Sequence, residues 1–122
     1  MKNFLQLTFL FEVFIGLALV IVPKLVISLL FDVSLEGSGG IIIAMIAGGA
    51  ILSLSLLCWL MKDILANQLV KALLFYNVAV VAIVVYGLLN LEIKGPGLWL
   101  VIIYHSVFAL WSASLLRKND SN

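Results

Sequence analysis

Three side chains set deep in apolar sequence are the ones whose types could do chemistry: Glu12, Asn77 and the single histidine, His105. Glu12 stands in "FLFEVFIG", residues 9 to 16, where every neighbour but the glycine is hydrocarbon. An ionised acid at the centre of a bilayer costs several kcal/mol on insertion scales, so such a group needs a proton, a partner or a ligand. Asn77 follows Tyr76 in "LLFYNVAVV", and His105 follows Tyr104 in "LWLVIIYHSVFALW". A carboxyl and an imidazole sharing a lipid-excluded interior form a titratable pair, usable for proton coupling or for gripping a polar headgroup. The same groups, completed by Asn77 and Ser53, could instead form a hydrogen-bond network that only decides which helices are neighbours. In a third arrangement Glu12 faces a partner subunit.

Other chemistries lack their residues. A structural zinc site takes four ligands, and one His, one Cys and one embedded Glu fall short. A bis-histidine haem would need His105 from two chains, so haem or quinone is expected only through a partner or a dimer, and no cofactor is expected in the chain itself. Phosphate loops, nucleophile elbows and dinucleotide fingerprints are missing from the sequence. No catalytic residue is therefore assigned.

The elements that must position these residues follow from composition. Of 122 residues, 65% are hydrophobic and 11% charged, which places the chain in a bilayer. Four apolar stretches, roughly 4 to 22, 40 to 61, 69 to 89 and 98 to 116, each approach the ~20 residues that cross the hydrocarbon as a helix. The expected fold is an all-α integral membrane protein, one domain over 1–122, with four transmembrane helices in an antiparallel bundle. Running "PKLVISLLF" on from the first helix would give a span of ~42 Å, so the helix is expected to break at Pro23. Lys24, Ser28 and Asp32 then share one side and Leu25, Val26, Leu29 and Leu30 the other, which predicts a short amphipathic helix over 23–32 lying in the outer interface. A kinked continuation of the first span is the alternative.

Measured from one boundary at ~1.5 Å per residue, Glu12, Ser53 and Asn77 lie at a depth of ~12 Å and His105 at ~16 Å. Thr8, Glu12 and Gly16 repeat every four residues, a stripe expected to face protein, as do His105, Ala109 and Ser112 on the fourth helix. Glu12, Asn77, His105, Ser53, Tyr76 and Tyr104 are the candidate ligand or proton site. On the second span Gly40, Ala44, Gly48 and Gly49 make a nearly flat side, suited either to packing within the chain or to a homodimer or partner seam. Trp59, Trp111, Tyr86 and Trp99 fall near span ends as interfacial anchors. Cys58, the one cysteine, reads as a small buried apolar residue.

Charge gives orientation. Lys2, Lys62, Lys71, Arg117 and Lys118 gather on one side against Lys24 and Lys94 on the other, so both termini are expected in the cytoplasm of a bacterial inner membrane. A net charge of +1 without a basic run argues against nucleic acid. The first apolar run lacks a small-residue cleavage site and is expected to stay as a helix of the mature protein. No internal repeat supports an inverted-repeat transporter within one chain.

"GLALVIVPKLVISLLF", "WLMKD", "LLFYNVAVV" and "LWLVIIYHSVFALW" resemble the small four-helix bacterial membrane proteins of the DoxX-like families, over most of the chain. That resemblance implies a lipid- or quinone-associated redox subunit, although the first-helix arginine common in those proteins is missing. Glu12 in "FEVFIG" is also similar to the embedded glutamate of the small multidrug resistance transporters, which have no equivalent of His105; the runner-up expectation is a homodimeric proton-coupled carrier using Glu12 and His105. With so few polar groups and such short loops, the leading expectation is a non-catalytic accessory, scaffold or assembly subunit, contacting the bilayer and either further copies of itself or other membrane subunits.

Overall fold

The structure is a computed structural model that describes residues 1–120. Five helices follow one another: α1 (Lys2–Ile21), α2 (Pro23–Phe31), α3 (Gly37–Met61), α4 (Ala66–Asn90) and α5 (Pro96–Asp120). Four of them, all but α2, are long and apolar enough to cross a membrane. Phe14, Ile43, Ile46, Phe75, Ile83 and Leu110 are exposed on their outer sides, an apolar surface that a bilayer would cover.

The break between α1 and α2 follows from the proline. A residue before proline is pushed out of the helical region, and Val22 adopts φ −131 and ψ 54. Pro23 then occupies the first turn of α2, where its missing N–H costs nothing. Asp32 ends α2 in the left-handed region at φ 53, its N–H donating to the Ser28 carbonyl at 3.0 Å. Aspartate is one of the few side chains that tolerates this conformation. Helices α3 and α4 each begin three residues before the expected apolar boundary, at Gly37 and Ala66. Hydropathy marks the hydrocarbon slab, whereas backbone hydrogen bonding carries a helix beyond it.

Helices α1 and α3 form one close pair and α4 and α5 another. Gly16 and Gly48 make the first contact possible: a Cβ on Gly48 would lie 2.8 Å from the Gly16 carbonyl oxygen. Phe9 meets Trp59 at 5.0 Å along the same pair, so residue numbers rise along α1 as they fall along α3. At the end holding the amino terminus and the 62–65 turn, the pairs are joined by a dense core of Phe4, Leu5, Cys58, Val70, Leu73 and Phe108. Phe4 packs on Phe108 at 5.5 Å and edge-on to Trp111 at 5.2 Å. Trp111 is half-buried and packs against this core. Lys2 and Asp63 form an exposed ion pair at this end, and the Lys2 hydrogen bond holds the Asp63 carboxyl below its usual 3.8.

At the opposite end α2 folds back. Val26 packs with Leu19 and Ala44. Gly95 and Gly97 tuck beneath the end of α2: a Cβ on Gly95 would overlap the Leu30 carbonyl oxygen, and one on Gly97 would come within 2.7 Å of the Leu29 carbonyl oxygen. The close approach requires glycine at both positions.

The middle of the flat side of α3 packs inside the chain. Ala44 and Gly48 are buried, Gly40 touches Leu35, and Gly49 alone of the four has nothing near it. At Gly48 that side packs against Gly16 of α1.

Candidate functional site

The two helix pairs meet tightly at the aromatic end and stand apart toward α2, leaving a cavity of about 450 Å³ between them. All five helices line it. Glu12, Tyr76, Tyr104 and His105 contribute its polar part near mid-helix. Leu19, Ala44, Ile51 and Val84 form apolar walls, and Ile27, Leu30 and Phe31 of α2 cover the far end.

His105 is the best-defined member. Its Nδ1 lies 2.7 Å from Asn77 Oδ1, and Asn77 Nδ2 donates to the Leu73 carbonyl at 2.7 Å. The carbonyl contact decides which way the amide points, so Oδ1 faces the imidazole. An amide oxygen can only accept, hence Nδ1 carries the proton and the neutral ring keeps its lone pair on Nε2. Tyr76 and Tyr104 stand edge-on to the ring, with centroids at 5.6 and 4.9 Å and interplanar angles of 80° and 85°. These contacts hold the ring in a single orientation against α4.

Glu12 is 3% exposed, yet among the described residues its carboxyl makes no hydrogen bond or ion pair. Thr8, one turn away on the same buried stripe, spends its hydroxyl on the Phe4 carbonyl at 3.0 Å. Glu12 and His105 therefore line one interior space but do not bond to each other. The Tyr104 hydroxyl is likewise buried with no partner. A buried polar group left without a partner costs free energy, and Glu12, which lines the cavity, is the one that an incoming molecule could complete.

Ser53 does not belong with this group. It is exposed, and its hydroxyl returns to the Gly49 carbonyl at 3.0 Å. Its depth matches the polar layer, but five residues from Gly48 turn it about 140° away from the buried side of α3. Ser55, seven residues from Gly48, falls on that side, is 1% exposed and bonds the Leu52 carbonyl at 2.7 Å. The helical period could have separated the two serines. The part played by α2 as a wall of the cavity had no signal beyond its apolar side.

Among the described residues no three His, Cys, Asp or Glu side chains gather where a metal ion could be held. Cys58 is buried in the aromatic core and does not line this space. Among known proteins, no family model, no curated protein and no solved structure matches the chain.

Proposed function

We propose that this protein is an integral membrane protein without catalysis of its own, which takes an amphipathic molecule from the bilayer into its central cavity and serves as an accessory subunit of a larger membrane complex. The carrying observation is Glu12: a residue only 3% exposed, whose carboxyl has no partner among the described residues, bordering a space with apolar walls. An apolar interior with a few polar groups at one place is the usual make-up of a small-molecule site. In this reading α2 lies in the outer interface, while both termini and the 62–65 turn are cytoplasmic, in a bacterial inner membrane.

The test is purification in mild detergent, followed by solvent extraction and mass spectrometry of small molecules and co-eluting chains. Wild-type protein is expected to carry a stoichiometric amphiphile and a partner chain, and Ala44→Phe, which fills the cavity, to lose the amphiphile. Empty protein that binds no amphiphile after reconstitution would end the binding reading. Orientation is checked separately: an impermeant maleimide should label Lys94→Cys in intact cells and spare Asn3→Cys.

A second reading rests on the presence of two titratable groups, Glu12 and His105, in one cavity. A homodimeric proton-coupled carrier would use them to exchange a proton for its ligand. It requires proton release on ligand binding in weakly buffered solution, lost in Glu12→Gln. Binding without proton release removes it.

A further inference from the structure

We infer that Glu12 is reached sideways from the hydrocarbon of the bilayer, through a slit between α1 and α5 that the ring of Phe11 gates. The inference rests on the binding reading above and adds the route by which a lipid-dissolved molecule enters the cavity.

Backbone spacing opens the slit. Helices in contact lie about 8–10 Å apart axis to axis, with Cα atoms about 2.3 Å from each axis, so their facing Cα atoms come well within 8 Å. Those of α1 and α3 do so, as do those of α4 and α5, whereas among the described residues no Cα atom of α1 comes within 8 Å of one in α5. Aromatic rings bridge the gap instead. Phe4 reaches Phe108 and Trp111 at the dense end. Two turns further along α1, Phe11 stands edge-on to Tyr104 at 5.4 Å and to Phe108 at 6.3 Å. Among the described residues no ring pair joins the two helices beyond it.

The lips of the slit lie just past Phe11. Phe14 and Leu100 border the cavity, and both are exposed on the outside. Phe14 is three residues on from Phe11, and Leu100 four residues back from Tyr104, so at ~1.5 Å per residue they stand at nearly one level on antiparallel helices. Lengthwise approaches are closed. The aromatic core fills one end of the bundle, and α2 covers the other, lying over Gly95 and Gly97. A molecule dissolved among acyl chains instead meets exposed apolar lips, then apolar walls, then the Glu12 carboxyl. Phe11 precedes Glu12, lines the same cavity and is 48% exposed, so its ring stands between membrane and interior. Only edge contacts hold that ring across the gap, and turning it aside gives up little.

The experiment treats the full chain in phosphatidylcholine nanodiscs with dicyclohexylcarbodiimide, a lipid-soluble reagent for carboxyl groups, or with a water-soluble carbodiimide bearing an ammonium group. Peptide mass spectrometry reads the rate of modification at Glu12. The lipid-soluble reagent is expected to modify Glu12, and the water-soluble one to spare it while modifying the exposed Glu36 and Glu92. Phe11→Ala removes the gate and should speed modification by the lipid-soluble reagent about three- to tenfold, the scale of one aromatic pair. Leu100→Trp enlarges an exposed lip without touching the core, and it should slow the same reaction. Resistance of Glu12 to the lipid-soluble reagent overturns the inference, as does equally fast modification from water. A rate that Leu100→Trp does not lower, or that Phe11→Ala does not raise, overturns it too. An amphiphile that binds the reconstituted protein while Glu12 resists the reagent sinks the route and spares the binding reading. Modification of Glu12 in protein that binds no amphiphile does the reverse.

Discussion

His105 shows how much a single amide can decide. Because Asn77 is anchored to the Leu73 carbonyl, it presents oxygen to the imidazole and fixes the proton on Nδ1. With one histidine in the chain, nitrogen-15 NMR of labelled protein should show one ring, protonated at Nδ1 and bare at Nε2. In Asn77→Leu the ring loses its acceptor, the fixed tautomer should give way to a mixture, and stability should fall by about 1–3 kcal/mol, measured by thermal unfolding in detergent. Glu12, Asn77 and His105 were legible as special from residue type alone, since polar groups are rare in apolar runs. Ser53 was not correctly read, because depth along a helix says nothing about which way it is turned. At the surface, Lys2 holds the Asp63 carboxyl low. The pair is therefore present at neutral pH and breaks only in acid stronger than the ordinary aspartate value of 3.8. Being exposed, it contributes little stability.

At the scale of elements, two adjacent glycines behave as opposites. Gly48→Ala would press a methyl against the Gly16 carbonyl and Leu19, whereas Gly49→Ala meets nothing within 4 Å. Thermal unfolding should register a loss of about 1–3 kcal/mol for the first, the range of overpacked cores. The second should be neutral or stabilising, by up to about 1 kcal/mol from helix propensity. Gly95→Ala should act further away: its Cβ would overlap backbone at Leu30 and Phe31, so α2 must shift. A spin label at Ser28 is expected to gain mobility, while α4 and α5 keep their contact. The four long helices and the break at Pro23 were legible from apolar length and from proline chemistry. The pairing of the helices was not, for a physical reason: in a bilayer, lipid and protein are equally apolar, so an apolar side does not announce what covers it. Small residues are the better signal, and Gly16 facing Gly48 is where it spoke.

Taken whole, the chain is dense at one end and hollow toward the other. Phe4, Phe108 and Trp111 close the dense end around Cys58, which is 0% exposed. The lone thiol should resist a membrane-permeant maleimide in folded protein and react once the bundle opens, so mass spectrometry of labelling against temperature gives the unfolding curve directly. The hollow end was not legible from sequence, because a cavity is a relation among five helices and no one of them encodes it. Ligand occupancy should tighten that end alone, slowing hydrogen exchange in α2 and leaving the aromatic end as it was.

One feature of the side-chain hydrogen bonds reaches beyond the folded state. Thr8 and Ser112 return to carbonyls of their own helices, and of the buried side-chain bonds among the described residues only that between Asn77 and His105 crosses from one helix to another. Each rod is chemically self-sufficient, and shape rather than polar bonding gathers the rods together. Dodecyl sulfate should then separate them without unwinding them: ellipticity near 222 nm would persist while the histidine resonance collapses to that of a free side chain, so a helical spectrum is no proof that this molecule is assembled.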